Sequence, residues 1–470
     1  MEQLIGRENE KELLHSYITS DKSEFIALYG RRRVGKTFLI KSFFQNHFDF
    51  YTTGIIGGTR EDEFEAFYTA LREYGYKGER ERNWNAYFNV LYNMLRKHKN
   101  RKSPIIVFID ELPCFDTQHS GFVRALDFFW NYHAEDLPNL KLIVCGSATS
   151  WMIRNVVNNH GGLHNRLTHS MHLHPFNLHQ AELYAKHKKS CWTQLDIVQM
   201  YMVVGGVPYY WSKLDLQDSV PNNIDNLFFA GDAEMSDEYQ RLFKSLYRNP
   251  EGHMDVISLL CKHKGGLMRN EILALQNNQS SGTLTKILED LQFCDFITSR
   301  PNGRKQNNQI YQICDFYTLF FNTFCLKNSS DKHFWAHQTG TPKINTFQGL
   351  AYERICMQHA DQILSALHLD HIYTEIYSWK SKASVPASQI DMIIDRADNL
   401  VTICEIKFSK TEYTLSKTEY QKLITRAENF RTESKTKKGW QISMITTYGL
   451  KDNTYSDISR FNVELTDLFK

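Results

Sequence analysis

The sequence predicts an α/β protein of several folded units, the first of which is a parallel sheet covered by helices on both faces. The chain has 470 residues, which is too long for a single compact core and suggests about three domains. Short apolar runs alternate with helical patterns through the first part of the chain, as such a sheet requires. Hydrophobic residues make up 42% and charged residues 23%, which excludes disordered and fibrous chains.

The first unit is predicted to span residues 1–177, and a second, helical unit to span residues 178–248. The strands of the first unit are predicted at Phe25–Tyr29, Phe48–Thr52, Ile105–Ile109, Leu142–Cys145 and Met171–Leu173. From Leu178 to about Arg248 the pattern is helical and is interrupted only by turn signals, so we expect a helical lid or bundle.

Two further units are predicted, at residues 249–326 and 344–470. The third has helical patterns followed by two strands around a polar turn, which describes a winged helix: Met254–His263, Met268–Leu275, Gly282–Asp290, Phe293–Ser299 and Gln309–Ile313. The fourth mixes helices and strands, at Phe347–His359, Ile372–Trp379, Gln389–Asp395, Val401–Phe408, Lys417–Phe430 and Gln441–Thr446.

Composition restricts the compartment and the partners. Lys plus Arg (55) nearly balance Asp plus Glu (53), for a net charge of +2, so any nucleic-acid surface must be local. The nine cysteines form no CxxC pair or metal-ligand spacing and are interpreted as reduced, mostly buried thiols. The chain begins with charged residues and contains no apolar run of about 18 residues. We therefore expect a cytoplasmic protein that neither is secreted nor spans a membrane.

A glycine-rich segment between the first strand and a helix matches the phosphate-loop pattern GxxxxGK[ST]. The glycines let backbone N–H groups face phosphate oxygens, Lys36 neutralises the β and γ oxygens, and the Thr37 hydroxyl can ligate Mg²⁺. The sequence therefore predicts an ATP site with Mg²⁺. The predicted nucleotide contacts in this segment are Gly30, Arg31, Arg32, Arg33, Val34, Gly35, Lys36, Thr37 and Phe38.

Carboxylates follow the apolar run that ends at Ile109. Asp110 is placed to hold the Mg²⁺ water shell, and Glu111 to polarise the attacking water. After the next strand, Ser147 lies at the carboxyl edge of the sheet, where ligands bind in such folds. We predict Ser147 as a nucleotide sensor, with a structural role as its alternative.

These motifs resemble the archaeal and bacterial ATPases of the AAA+/STAND group. The resemblance is carried by Ile5-Gly6-Arg7-Glu8, the phosphate loop, Phe108-Ile109-Asp110-Glu111-Leu112, Cys145-Gly146-Ser147 and Gly205-Gly206-Val207-Pro208-Tyr209, over roughly the first 250 residues. It implies a nucleotide-driven switch with a helical lid, and a homo-oligomer when ATP is bound. It also implies that Arg166 senses the γ-phosphate, with Arg154 as the competitor and a surface ion pair as the alternative for either arginine.

Six histidines fall within twenty residues and suggest a metal site at first sight: His160, His164, His169, His172, His174 and His179. His172 and His174 share one strand face, but this stretch has no cysteine partners, and its HxxxH spacing, from His160 to His164, contains two consecutive glycines and is not typical of a helical ligand pair. We therefore expect a structural role for this cluster.

The third unit offers a surface for DNA. Its last helical pattern carries Ser281, Thr283, Thr285 and Lys286 on the polar face, as a recognition helix would. The predicted wing offers Arg300, Arg304 and Lys305 for phosphates. DNA is thus the predicted partner, and docking of a protein is the alternative.

Carboxylates and a lysine also meet in the fourth unit. Strand alternation puts Glu405 and Lys407 on one face, and Asp391 lies on the preceding strand. Asp391 and Glu405 are predicted to hold Mg²⁺, which could activate water for phosphodiester cleavage, while Lys407 positions the nucleophile or neutralises charge. Glu353, on the preceding helix, could add a third carboxylate. A salt-bridged strand hairpin is the alternative interpretation.

The order of helix Glu, strand Asp and Glu-x-Lys resembles the PD-(D/E)XK nuclease superfamily, with its restriction-endonuclease-like α/β fold, over about Thr346–Thr447. Gln389 departs from the acidic residue that relatives often carry there, and the Pro-Asp pair is absent. The prediction from sequence is an ATP-hydrolysing protein that acts on DNA through a metal-dependent nuclease-like unit. The alternative is a STAND-type switch whose C-terminal unit binds DNA or a protein without cleaving.

Overall fold

The computed structural model describes residues 3–158, 166–276, 280–302, 305–326, 330–381 and 388–470. Its first unit contains a five-stranded sheet in the order β2-β3-β4-β1-β5, in which every neighbouring pair is parallel. β4 therefore lies between β1 and β3. The strands are β1 (Glu24–Tyr29), β2 (Phe50–Thr53), β3 (Ile105–Asp110), β4 (Leu140–Gly146) and β5 (His169–His172).

Helices cover both faces of this sheet and bury a separate apolar core on each face. They are α1 (Glu8–Ile18), α2 (Lys36–Phe43), α3 (Arg60–Glu73), α4 (Trp84–Leu95), α5 (Leu112–Phe115), α6 (Phe122–His133) and α7 (Thr149–Met152). The predicted parallel α/β sheet is confirmed. The fifth strand begins at His169, two residues before the predicted start, because His169 already pairs with Ile26 of β1.

The second unit is helical, as expected. It comprises α8 (Leu178–His187), α9 (Gln194–Val204), α10 (Pro208–Trp211), α11 (Val220–Phe228) and α12 (Glu238–Leu246). α9 is buried around most of its circumference, which explains its near-continuous apolar sequence.

In the third unit, helices precede an antiparallel pair of strands. Its elements are α13 (Glu251–Lys262), β6 (Leu267–Met268), α14 (Arg269–Leu275), α15 (Ser281–Phe293), β7 (Ile297–Asn302) and β8 (Lys305–Ile313), followed by α16 (Phe316–Phe320) and α17 (Phe334–Gln338). The two-residue strand β6 pairs with β8 and was not expected from the sequence.

The fourth unit has a mixed sheet in which β9, β10 and β11 are antiparallel and β11, β12 and β13 are parallel. Its elements are α18 (Pro342–Gln358), α19 (Ala360–Ala366), β9 (Thr374–Lys380), β10 (Gln389–Arg396), β11 (Leu400–Lys407), α20 (Lys417–Ser434), β12 (Gly439–Thr446) and β13 (Ser459–Val463). α19 and the edge strand β13 were missed by the sequence analysis.

The second, third and fourth units were predicted as separate domains, but they share one apolar core, and the third and fourth also share one sheet. Asn302 of β7 pairs with Ser378 of β9, which makes one eight-stranded sheet of the two smaller ones. A single apolar core runs from Leu178 to Phe469 and includes residues of all three units. The predicted boundaries between these units therefore do not separate independent cores.

Within the part of the chain that the structure describes, no helix has both the length and the apolar surface needed to cross a bilayer.

Candidate functional sites

The phosphate loop joins β1 to α2, and steric constraints explain why two of its positions are occupied by glycine. A Cβ on Gly30 would lie 2.3 Å from the carbonyl oxygen of Leu173, so no side chain fits there. Gly35 has a φ of 91°, which L side chains rarely adopt, and it directly precedes α2. The backbone N–H groups at the start of α2 can therefore donate hydrogen bonds to an anion bound at the carboxyl edge of the sheet.

Lys36 is held inside this loop. Its Nζ donates to the carbonyl oxygens of Gly30 at 2.8 Å and Arg31 at 3.0 Å, and the residue is only 5% exposed. The ammonium is therefore already ordered against the backbone that would surround a phosphate.

Hard oxygen donors lie next to each other beside the loop. The Thr37 hydroxyl donates to Oδ2 of Asp110 at 2.7 Å. Burial raises the pKa of Asp110, and the hydrogen bond from Thr37 opposes that rise. A hydroxyl and a buried carboxylate at this distance suit Mg²⁺, so the residues present fit the ion that was predicted for them.

Glu111 is positioned by Ser147. Its backbone has a φ of 47°, a left-handed conformation that is strained for a residue with a side chain. Its Oε2 accepts hydrogen bonds from Ser147, at 3.2 Å from the backbone N and 2.8 Å from Oγ. The ends of β3 and β4 are therefore linked through the carboxylate that was predicted to polarise water.

Two arginines of the loop direct their side chains away from the loop, although both were predicted as nucleotide contacts. Arg31 is 1% exposed and pairs with Asp315 at 2.5 Å. Arg33 pairs with Glu238 of α12 at 2.8 Å and lies over the ring of Tyr209, 3.9 Å from its centroid. Their guanidinium groups are thus engaged by residues of other units.

The other predicted loop contacts differ in exposure. Val34 is buried in the apolar core beneath the loop, and its carbonyl accepts a hydrogen bond from Arg7 at 3.2 Å. Arg32 is half-buried, and Phe38 is 39% exposed on α2.

The two arginines proposed as γ-phosphate sensors have different environments. Arg154 pairs with Glu289 at 3.2 Å and with Asp290 at 3.0 Å, both on α15. Arg166 is exposed. Arg154 thus connects the first unit to the predicted recognition helix, and Arg166 stays the predicted sensor.

The polar face of α15 is exposed as expected, at Ser281, Thr283, Thr285 and Lys286. Arg269 of α14 donates to the Thr285 hydroxyl at 2.9 Å and adds a cation to this face. The expectation for Arg300 was wrong, because its side chain turns inward and donates to the carbonyl of Met357 at 3.3 Å. Arg304 and the side chain of Lys305 lie outside the described residues.

The C-terminal carboxylates meet at one end of β10 and β11. The antiparallel register pairs Met392 with Cys404, and Asp391 and Glu405 are the next residues of their strands at this end. Glu405 is 6% exposed, and its two oxygens pair with Lys407 at 2.7 Å and Arg426 at 2.8 Å. Gln389 donates to Asp391 Oδ1 at 3.2 Å.

Burial and the charge of neighbouring carboxylates raise the pKa of Glu353 and of Asp391. Burial, followed by the charge of Asp391, raises the pKa of Glu353 to about 8, and Lys407 opposes the rise. Burial and the charge of Glu405 raise the pKa of Asp391. The three carboxylates therefore act on one another as a cluster, and hard oxygen donors of this kind suit a divalent cation.

Two cavities adjoin the cluster. Glu353 and Asp391 line a cavity of about 560 Å³ between the helical, third and fourth units, which extends to Arg31. Glu405 and Lys407 line a smaller cavity of about 120 Å³ beneath α20. Glu353 and Asp391 thus line one cavity, and Glu405 and Lys407 line the other.

Some residues of these sites were not found from the sequence. Arg426 comes from α20, whose amphipathic pattern marks its apolar face but not which polar residue reaches a strand. Asp295 and Asp315 follow α15 and β8, far along the chain from the first-unit residues that they contact.

The histidine segment is divided as well. His169 pairs with Glu24 and stacks on Tyr17, and Nδ1 of His179 lies 2.9 Å from the carbonyl oxygen of Phe469. His172 and His174 converge on Asp295. His160 and His164 lie outside the described residues.

A parallel sheet with a glycine-rich loop after β1, carboxylates after β3 and a serine after β4 defines a P-loop ATPase domain. Residues 4–214 match a family model described as an ATPase domain predominantly from Archaea. This part of the chain thus has the fold and the motifs of an archaeal-type P-loop ATPase domain.

Relatives and solved structures agree with that class. The chain is 23% identical over 415 residues to the uncharacterized protein MJECL04 of Methanocaldococcus jannaschii, covering 86% of this chain and 87% of that one. It is 50% identical over 42 residues to the uncharacterized ATP-binding protein MJ0423 of the same organism, covering 9% of this chain and 71% of that one. A Walker-type ATPase of Pyrococcus abyssi has the same fold, with a TM-score of 0.50 and 17% identity over 68% of this chain and 96% of that chain.

Proposed function

We propose that this ATPase acts on DNA and that its C-terminal unit cleaves phosphodiester bonds. The observation that carries the proposal is that Asp391 and Glu405 lie next to the Met392–Cys404 pair at one end of β10 and β11, with Lys407 on the strand face of Glu405 and Glu353 lining the same cavity as Asp391. A strand hairpin stabilised only by ion pairs would not need a third, half-buried carboxyl group beside it.

In the ATPase domain, the residues divide the work of hydrolysis. Lys36 neutralises the β and γ oxygens, and the loop amides before α2 hold the phosphates. Glu111, held by Ser147, orients a water for in-line attack. Mg²⁺ on Thr37 and Asp110 would supply neutralisation of the charge that develops on the phosphates.

In the C-terminal unit, Lys407 lies where it can position the attacking water or neutralise the phosphate. A divalent cation on Asp391 and Glu405 would supply Lewis acidity toward the phosphodiester. Since Glu405 is paired with both Lys407 and Arg426, the cation competes with Arg426 for this carboxylate. Glu353 holds a proton near neutral pH and can deliver it to a leaving oxygen.

The exposed polar face of α15, with Arg269 beside it, is the proposed DNA contact of the third unit, which we interpret as a winged helix. Arg154 pairs with Glu289 and Asp290 nearer the C-terminal end of the same helix, so nucleotide-driven movement of the ATPase domain would reach the DNA through it.

The test is cleavage of linear, circular and single-stranded DNA by the purified chain with Mg²⁺ or Mn²⁺, with and without ATP. We expect Asp391→Asn to abolish cleavage while ATP hydrolysis continues. Asp398→Asn is the matched control, because Asp398 is a carboxylate of the same unit that pairs with Arg396 away from the cluster. Lys36→Ala separates the two activities by removing ATP binding.

Cleavage that survives in Asp391→Asn at the wild-type rate would assign the activity to a contaminant and overturn the nuclease proposal. Absence of cleavage by the wild-type chain on every substrate, with DNA binding retained, would favour the second candidate.

That second candidate is an ATP-dependent switch of the STAND type. The ion pairs of Arg31 with Asp315 and of Arg33 with Glu238 support it, because they tie the phosphate loop to two other units. Its test is the oligomeric state with ADP and with a non-hydrolysable ATP analogue. An unchanged monomer in both nucleotides would contradict the switch.

A further inference from the structure

His172, His174 and Asp295 form a compact group between the ATPase domain and the third unit. Each offers one ligand atom, and these atoms all lie within 4.8 Å of one another. The two histidines come from the end of β5, and Asp295 comes from the turn between α15 and β7. The group therefore joins residues that are more than a hundred positions apart.

The contacts in this group are poor hydrogen bonds. His172 Nε2 lies 3.3 Å and His174 Nδ1 lies 3.5 Å from the same oxygen, Oδ2 of Asp295. Among the described residues, neither His172 Nε2 nor Asp295 Oδ2 has a hydrogen-bond partner of acceptable geometry, although both atoms are buried. Buried polar atoms of this kind are normally satisfied, so the arrangement requires an explanation.

The separations of both histidine nitrogens from the shared carboxylate oxygen fit ligands around one small ion. When nitrogen and oxygen ligands lie at about 2.0–2.1 Å from a tetrahedral zinc ion, neighbouring ligand atoms are about 3.3–3.4 Å apart. The observed separations from Asp295 Oδ2 are 3.3 and 3.5 Å. Imidazole nitrogens with one carboxylate are also a common ligand set for zinc and neighbouring divalent metals.

Surrounding residues hold the ligands in place. The ring of His172 stacks on Tyr29, with centroids 5.0 Å apart and planes at 18°. The rings of His172 and His174 lie 3.9 Å apart. Asp295 has a φ of 56°, and such left-handed strain is common where a functional geometry is imposed.

We propose that His172, His174 and Asp295 bind one divalent transition-metal ion, with Zn²⁺ the best fit. The ion would cross-link the ATPase sheet to the third unit. His174 and Asp295 line the same cavity of about 560 Å³ as Glu353 and Asp391, so water can complete the coordination of the ion. Leu173, between the two histidines, donates its backbone N–H to the carbonyl oxygen of Tyr29 at 2.7 Å, directly before the phosphate loop. The ion therefore fixes the floor of the nucleotide site relative to the α15 unit.

The experiment measures metal binding directly, without any activity assay. The full chain is stripped with a chelator and titrated with Zn²⁺ by calorimetry, and with Co²⁺ by visible absorption, in excess Mg²⁺ to occupy oxygen-rich sites. We expect one equivalent more Zn²⁺ on the wild type than on Asp295→Asn, and intense tetrahedral Co²⁺ bands that this variant lacks. Asparagine is chosen because it tolerates the left-handed backbone of this position.

His172→Ala should lose the same equivalent. His169→Ala is the matched control, because His169 lies on the same strand but pairs with Glu24 and stacks on Tyr17 outside the group. Saturating Zn²⁺ should raise the Tm of the wild type and of His169→Ala by roughly 2–4 °C, and leave Asp295→Asn unchanged.

Equal Zn²⁺ stoichiometry and equal Co²⁺ spectra in the wild type and Asp295→Asn would overturn the proposal and leave an ion pair only. If His172→Ala fails to fold, Asp295→Asn alone decides, provided that it retains ATP binding and the elution volume of the wild type. Neither result depends on whether the chain cleaves DNA.

Discussion

The guanidinium of Arg31, in the phosphate loop, lies 2.5 Å from the carboxylate of Asp315, 284 residues further along the chain. Asp315 is also the N-cap of α16 and accepts from the backbone N of Thr318 at 3.1 Å. Burial lowers the pKa of Arg31, but the charges of Asp315 and Tyr210 and the hydrogen bond to Asp315 together outweigh it, so the pKa is raised. One buried ion pair thus connects the nucleotide site to the helix that follows β8.

Breaking this ion pair from one side is predicted to destabilise the chain strongly. Asp315→Asn leaves the buried guanidinium without its counter-charge, which costs about 3–5 kcal/mol. Arg31→Met removes the charge itself but keeps the backbone carbonyl that Lys36 contacts, so ATP binding should persist. The double variant should lose less than the sum of the single ones, as denaturant melts of all four proteins will measure.

The control for this cycle is Arg154→Met. Its ion pairs with Glu289 and Asp290 are partly exposed, so the loss should stay below about 1 kcal/mol. Losses of equal size in Arg154→Met and Asp315→Asn would show that burial of the Arg31 pair does not govern its contribution.

The contact between Ser147 and Glu111 predicts a graded effect on ATP hydrolysis. Glu111→Gln removes the group that polarises water and should lower kcat by about 10²–10⁴. Ser147→Ala removes only the hydrogen bond that positions Glu111 and should lower kcat by about 10-fold or somewhat more. Steady-state ATPase assays measure both, and KM should change little. A larger loss in Ser147→Ala than in Glu111→Gln would contradict the positioning role.

The phosphate loop and its carboxylates are predictable because their signals are local. Gly30 through Thr37 are consecutive, and Asp110 follows a parallel strand whose carboxyl end must lie at the same edge of the sheet as the loop. The side chains of Arg31 and His172 are different. Their partners, Asp315 and Asp295, belong to another unit, and packing between units leaves no periodic pattern in a single sequence.

In the C-terminal unit, too, some features could be predicted from the sequence and others could not. Strand alternation correctly puts Glu405 and Lys407 on one face, and their ion pair follows from it. The edge strand β13 could not be predicted, because only Ser459 and Val463 are buried and its central residues are exposed. Pairing of Asn302 with Ser378 is a single contact between two backbones and is independent of side-chain chemistry.

Glu63 of α3 predicts a pH dependence of stability. It is fully buried, and one oxygen accepts from the backbone N of Ile55 at 2.9 Å. Burial raises its pKa from the ordinary 4.5 to about 7. Between these values the folded chain keeps a proton that the unfolded chain releases, so stability falls as the pH rises through this window. The loss reaches up to about 3 kcal/mol at pH 8.

Glu63→Gln removes this titration and retains an acceptor for Ile55. We expect the variant to be no more stable than the wild type at pH 4.5 but more stable at pH 8, as thermal melts across this range will measure. Glu65→Gln, on the exposed side of the same helix, serves as the control. Parallel pH curves for the wild type and Glu63→Gln would contradict a raised pKa.

From the ion pair of Arg426 with Glu405 we predict that a bound divalent cation can replace the positive charge of this arginine. Its guanidinium lies 2.8 Å from the buried carboxylate of Glu405, so Arg426→Met should lower the Tm when no divalent cation is present. If Glu405 belongs to a metal site, millimolar Mg²⁺ or Mn²⁺ should restore much of that loss, because the ion replaces the missing positive charge. Arg431→Met, on an exposed position of the same helix, should show neither the loss nor the rescue. A loss that divalent cations do not reduce would make the Arg426–Glu405 pair a structural salt bridge and count against a metal at this carboxylate.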